Sequence, residues 1–242
     1  MHDKLESQNQ TKHLINGIDS NNILLKGDAK SYCINGSEGN NIIKGGPGFD
    51  WLYGREGNDK IYGEEGDDFI SGDEGDDKLY GNDGHDDILG AEGDDIIEGG
   101  NGPDSLYGGS GNDKIDGGDG DDRIIGGPGA DKLTGGIGKD LFSYNSVNDS
   151  TAESPDRITD FQSGIDIINL YGVITDDKLK QIPIKKVDKF TGNINELLLN
   201  YDESINETSL MLDHDGDGLA EFKIDIVGRV DFDQDISFSI PL

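Results

Sequence analysis

Cysteine occurs once in 242 residues, at Cys33, so no disulfide can form within the chain. Basic residues are scarce. Lys and Arg number 20 against 51 Asp and Glu, for a formal net charge of −31. That balance excludes nucleic acid as a partner, because phosphate recognition needs dense positive charge. Long apolar runs are missing as well, and no stretch approaches the roughly 20 residues of a membrane-spanning helix. The first ten residues, Met1 to Gln10, are polar and lack the apolar core of a secretory signal. The four histidines (His2, His13, His85 and His214) do not form H-E-x-x-H, and no G-x-S-x-G elbow occurs. No catalytic constellation is visible, and a non-enzymatic role is expected.

What is abundant is glycine, 38 residues of it, and acid, and both fall on a fixed frame. Asp50, Asp59, Asp68, Asp77, Asp86, Asp95, Asp104, Asp113, Asp122, Asp131 and Asp140 stand nine residues apart without a slip. Around each the sequence reads G-x-x-G-x-D-x-U-x, where U is apolar and runs from Ile43 through Leu52 and Ile61 to Phe142. Composition alone would also suit an acidic disordered tract. The frame argues otherwise: in twelve units the sixth position is acidic eleven times and the fifth only four. A ligand requirement separates adjacent positions in that way; bulk composition does not.

A nonapeptide of this form is the signature of a calcium-binding parallel β-helix. The glycine-bearing half makes a turn, since glycine reaches positive φ without penalty. The x-U-x half is expected as a short strand whose middle residue points into the core. Two units close one coil of 18 residues, so aspartates 18 apart stack at one strand spacing, about 4.8 Å. Carboxylates so close repel unless a cation lies between them. Calcium, which takes six to eight oxygens in irregular geometry, fits; magnesium wants a stricter octahedron. No His or Cys recurs in the frame to suit zinc. The pairs 50/68, 68/86, 86/104, 104/122 and 122/140 on one edge, and 59/77, 77/95, 95/113 and 113/131 on the other, make nine expected sites. Asn41 opposite Asp59 makes a weaker tenth.

The fold expected is all-β: a parallel β-roll with a C-terminal antiparallel β capping region. Residues 1–17 form a polar lead and 18–35 a degenerate capping coil, with Leu25 and Ile34 at the core position. Residues 36–143 are the calcium-binding roll, and 144–242 the cap. Within the cap, Ile165 to Val173, Glu196 to Tyr201, Ser209 to Leu212 and Glu221 to Val227 read as antiparallel strands. Asp213, Asp215, Asp217 and Glu221 occupy positions 1, 3, 5 and 9 of a D-x-D-x-D-G loop, an additional candidate calcium site in a hairpin. On the outer faces, Trp51 and Phe69 with Tyr53 could grip sugar rings, and Lys60, Lys78, Lys114 and Lys132 could hold an anionic polysaccharide. Solubilising lysines and self-packed aromatics are the plainer reading.

The nonapeptide run resembles the RTX (repeats-in-toxin) proteins. The stretch from Phe142 to Leu170, with D-x-I-x-D-F-x-x-G-x-D-x-I from Asp156 to Ile168, resembles the C-terminal domain of serralysin-type metalloproteases. So does LDHDGDGLAEF, Leu212 to Phe222. The resemblance implies export from a Gram-negative bacterium by a type I secretion apparatus and folding on external calcium. It also allows the chain to be the carrier part of a larger secreted enzyme such as a metalloprotease, lipase or epimerase. Two features depart from the family. Asp235-Ile236 is followed by six further residues, and the second frame position is Arg55, Glu64, Asp73, Asn82 and Ala91 where glycine is common, so strained turns are expected there.

Overall fold

The structure is a computed structural model, and it describes residues 13–17, 24–28, 30–174 and 185–238. Most nonapeptides contribute a strand whose central apolar residue is buried between flanking residues that are partly or fully exposed, as in Trp51–Glu56 and Lys60–Glu65. Successive strands alternate between two sheets. One runs through His13–Asn16, Tyr32–Asn35, Trp51–Glu56, Phe69–Glu74 and onward to Ile236–Ser237, and the other begins at Leu24–Lys26 and Ile42–Lys44. Within the roll every pairing is parallel and in register. This is the parallel β-roll that the period implies.

The core is two columns of single side chains. Ile34, Leu52, Ile70, Ile88, Leu106, Ile124 and Phe142 stack down one sheet. Leu25, Ile43, Ile61, Leu79, Ile97, Ile115 and Leu133 stack down the other. All are buried. The columns do not stop where the glycine period stops: Ile168 and Ile236 extend the first, and Ile158 and Ile226 the second.

Three expectations need correction. The strands are six residues long through most of the roll, not three, because backbone pairing continues into the turn, with Arg55 facing Asp73 and Gly100 facing Gly118. A strand at His13–Asn16 stands within the segment read as a polar lead, pairing in parallel with Tyr32–Asn35. The run Ile165 to Val173 is not an antiparallel strand. Only Ile167–Asn169 is extended; it pairs in parallel with Leu141–Ser143, and a 3-10 turn follows at Gly172–Ile174. The reason is local. Asp166-Ile167-Ile168 repeats the D-x-U tripeptide of the roll, so it adds another coil.

The antiparallel cap is built from Glu196–Asp202, Glu207–Asp213 and Phe222–Val227. The last of these also pairs in parallel with Asp156–Ile158, which ties the cap to the end of the roll. At this junction Tyr144 packs edge-on against Phe222, with ring centroids 5.2 Å apart.

The second frame position lies in the left-handed region in every unit from Gly46 to Gly136, whether or not it is glycine. Arg55, Glu64, Asp73, Asn82 and Ala91 have φ between 72° and 87°. Non-glycine residues are strained there by contact between Cβ and the carbonyl oxygen. Ala91→Gly is therefore expected to stabilise the calcium-loaded protein by about 1 kcal/mol, because it removes that strain and touches no carboxylate. Thermal melting in saturating calcium checks this, and an unchanged or lowered midpoint would show that the turn is unstrained.

Candidate metal centre

The nine-residue period places the sixth-position aspartates in two rows, one along each edge of the roll, and every one is buried. Their backbones and side chains link in ladders. The N–H of each aspartate donates to Oδ1 of the aspartate one coil on, at 2.7 to 3.1 Å for Asp50, Asp68, Asp86, Asp104 and Asp122. On the other edge Asp59, Asp77, Asp95 and Asp113 do the same at 2.6 to 2.8 Å. All nine expected pairs are thus brought into direct contact.

The second oxygen is left over. Oδ2 of the ten frame aspartates from Asp59 to Asp140 is buried and accepts no hydrogen bond from the protein. A buried carboxylate oxygen without a partner is costly, and its presence in every unit calls for a counter-charge. The space beside it is shaped by the first-position glycines. A Cβ on Gly63 would lie 2.8 Å from the Gly81 carbonyl oxygen and closer still to Asp68 Oδ2. At Gly81 it would lie 2.5 Å from the Gly99 carbonyl oxygen and run into Asp86 Oδ2. From Gly45 to Gly117 each niche is lined by one carboxylate oxygen and one carbonyl oxygen, and glycine keeps it free of a side chain. That donor set is all oxygen and anionic, which suits a hard divalent cation such as calcium.

The electrostatics agree. Burial raises the carboxyl of Asp68 to about 7, with the charges of Asp86 and Asp50 adding to the effect. Burial raises Asp77 to about 8, helped by Asp95 and Asp59. Asp104, Asp113, Asp131 and Asp140 go to about 7 for the same leading reason. Hydrogen bonds from backbone N–H groups work in the opposite direction and only partly compensate.

Asn41 stands at the head of one row, and its N–H donates to Asp59 Oδ1 at 2.5 Å. Its amide side chain turns back into its own loop, accepting from the Ser37 N–H at 2.9 Å and donating to the Gly39 carbonyl. That end is satisfied internally, so Asn41 does not offer the free oxygen of the aspartates. Asp213, Asp215, Asp217 and Glu221 do converge, with one ligand atom from each lying within 4.8 Å of the others. Gly216 N and Gly218 N donate to the two oxygens of buried Asp213 at 2.6 and 2.9 Å, and both glycines have positive φ.

Two row members escaped the nine-residue count. Asp131 N donates to Asp156 Oδ1 at 2.9 Å, and Asp140 N to Asp166 Oδ1 at 3.2 Å. The retained D-x-U tripeptides, DRI and DII, are the signal that marks them. On the outer surface Phe49, Trp51, Tyr53 and Phe69 line a shallow cavity of about 420 Å³ together with Asp68, His85 and Asp87. On the opposite sheet Tyr62 and Tyr80 stack at 4.9 Å, and Lys44 and Lys60 sit over the Tyr62 ring. These two lysines are thereby engaged by tyrosine faces.

A parallel β-roll carrying two buried aspartate ladders, closed by an antiparallel cap, is the class that fold and site define. The family described as peptidase M10 serralysin C terminal matches residues 15–238, and the chain belongs to it. Metalloprotease AprA of Pseudomonas entomophila is 39% identical over 88 residues, 36% of this chain and 18% of that protein. Serralysin of Proteus mirabilis is 40% identical over 95 residues, 39% of this chain and 19% of that protein. The chain thus spans under a fifth of the length of these relatives. Among solved structures, a subunit of the Azotobacter vinelandii mannuronan C5-epimerase aligns with TM-score 0.47 and 21% identity, covering 72% of this chain and 95% of that one.

The raised carboxyl values set a pH dependence. Folded without metal, these groups hold protons that the unfolded chain, with aspartate near 3.9, releases. The metal-free coil is therefore most stable below about pH 4 and loses stability as pH rises toward 7 or 8. Between pH 8 and 6 only the folded coil takes up protons or calcium at these oxygens, so protonation adds to folding and the calcium concentration at half-folding should fall as pH goes from 8 to 6. Calcium titrations followed by circular dichroism at the two pH values check this, and coincident midpoints would contradict it.

Proposed function

We propose that the chain is a calcium-folded module of a secreted protein, non-catalytic in itself, whose folding is driven by calcium filling the aspartate ladders. The observation that carries this reading is the unbroken series of buried Oδ2 atoms facing glycine-cleared, oxygen-lined niches. Each calcium would bind two aspartates 18 residues apart and turn carbonyls, neutralising charge that otherwise opposes compaction in a chain of net charge −31. A cation present at ten times its dissociation constant contributes about 1.4 kcal/mol per site through linkage. Several such sites supply the stability of an ordinary domain.

The biological use follows from the calcium gradient. Sites of this oxygen-rich, loop-built kind work at the millimolar calcium found outside cells. Inside, at submicromolar calcium, the chain would remain unfolded and able to thread through a type I secretion apparatus. Outside it would coil and no longer slip back. The Asp213–Glu221 loop would take one further calcium and brace the cap hairpin. A second reading, as the carrier portion of a longer secreted enzyme, is favoured by the relatives themselves, a metalloprotease and a serralysin each more than five times the length of the matched segment. The exposed aromatic cavity would then be a place for a polysaccharide to rest.

Two experiments test the core of this. Far-UV circular dichroism at pH 7.5 should change from coil to β as calcium reaches the millimolar range, and chelator should reverse it; a full β signal without calcium would refute the reading. Asp86→Ala and Asp95→Ala each remove a ligand from two sites, whereas Asp50→Ala removes one from the end of a row. The first two should raise the calcium midpoint several-fold more than the third, and three equal midpoints would contradict the bridging arrangement.

A further inference from the structure

The two outer faces of the roll carry aromatic side chains at the same coils, and the two sets are furnished differently. On one sheet Tyr62 and Tyr80 stack, and the chain supplies their cations itself. Lys44 Nζ and Lys60 Nζ lie 4.6 and 5.2 Å from the Tyr62 centroid, and Lys60 Nζ lies 5.5 Å from that of Tyr80. Ammonium groups over aromatic faces are attracted by the ring quadrupole. On the other sheet the parallel register sets Trp51 beside Phe69, and Phe69 beside Asp87, in a single outward column. Tyr53 tilts against Phe69 with ring centroids 5.7 Å apart.

With Phe49, these rings line the cavity of about 420 Å³, a volume within the usual range of small-molecule sites. Phe49 and Trp51 are 47% and 40% exposed, so a ligand can reach their faces. The charged lining is acidic. Asp87 is exposed, Asp68 also contributes, and among the described residues no Lys or Arg lines the space. In a chain of net charge −31 a polyanion is repelled from such a place. A neutral ring would gain the stacking and leave the carboxylate unused. A cation gains both.

The acceptors decide which cation. Asp68 Oδ1 is taken by the Asp50 N–H at 2.7 Å, and Asp68 Oδ2 belongs to the buried ladder. Asp87 is then the one exposed carboxylate, and His85 adds at most one further acceptor. That is a poor match for the three N–H donors of a primary ammonium. A trimethylated ammonium has no N–H to satisfy, and its methyl groups spread the charge over ring faces.

We propose that this cavity binds a quaternary ammonium group of the choline type, held by Trp51, Tyr53 and Phe69 with Asp87 as counter-charge. The site goes beyond the calcium reading. It depends on the coiled fold that sets the column, not on which ion fills the ladders.

Trp51 is the sole tryptophan, so its fluorescence reports on the cavity directly. Choline chloride is titrated into the full chain in calcium at constant ionic strength, after far-UV circular dichroism has shown the β signal. The emission should change saturably. The uncharged alcohol in which carbon replaces the choline nitrogen has the same shape and should bind several-fold more weakly. Asp87→Asn should raise the choline dissociation constant several-fold and leave that of the alcohol unchanged, whereas Phe69→Leu should raise both. Neither variant touches a ladder carboxylate, and the comparison of choline with the alcohol needs no variant. Equal binding of the two would make the cavity a plain apolar slot and overturn the proposal. So would binding of maltose with choline inert, the mark of a sugar platform. A folded chain whose emission choline leaves unchanged overturns this site alone. A chain without a β signal in calcium fails at the earlier step, and the calcium reading falls together with the cavity.

Discussion

Every other feature of this protein depends on one contact: an aspartate N–H donating to a carboxylate oxygen one coil further on. That bond fixes the register of adjacent coils and holds the carboxylate in place. It also uses only one of the two oxygens, so the other is left facing a glycine-cleared niche. A structure that satisfied both oxygens internally, as it does at Asp166 and Asp235, would be stable without an ion at that point. The roll instead repeats a half-satisfied arrangement ten times, from Asp59 to Asp140. Each repeat of that arrangement leaves one buried carboxylate oxygen without a partner, so the deficit is distributed evenly along the length of the roll.

The hydrophobic contribution is correspondingly thin. Each strand of the roll places one side chain in a column, and neighbouring columns are made of Ile and Leu with Phe142 at the end. The cap differs. Tyr144, Phe161, Leu197, Leu210, Leu212 and Phe222 give it a mixed, three-dimensional core of the kind that folds on apolar burial. The protein therefore joins a segment of thin core and half-satisfied carboxylates to a conventionally packed one. The Asp156–Ile158 strand is where the two regimes meet, since it extends the roll column and pairs with the cap.

The roll was legible in the sequence because its ligand and its core residue each fall at one position of a fixed frame. Asp50 through Asp140 and Ile43 through Phe142 could be placed by counting alone. Counting failed where the spacing changed. Asp156 and Asp166 keep the row but follow their partners by 25 and 26 residues, the step from one coil to the next having grown by an inserted loop. Strand direction in the cap was equally hidden for Ile167–Asn169, since an apolar run carries no sign of whether it enters a sheet parallel or antiparallel. Asn41 occupies an aspartate position, where the frame alone makes it a weak ligand. Its amide can both donate and accept, and it folds into its own turn, where an ionised aspartate has no proton to donate. The strand at His13–Asn16 escaped because its segment carries no glycine frame.

The two unbroken columns have a mechanical consequence. Strands lie across the long axis of the roll, so tension applied at its ends loads one coil's pairing at a time instead of shearing many together. Each coil released would pay out 18 residues, a contour of about 60 Å. Rupture would advance in even steps from whichever end is the weaker anchor. At the far end that anchor is Asp235, whose carboxylate takes hydrogen bonds from Ser163 and Gly164 and so clips the final strand to the loop before Ile167–Asn169.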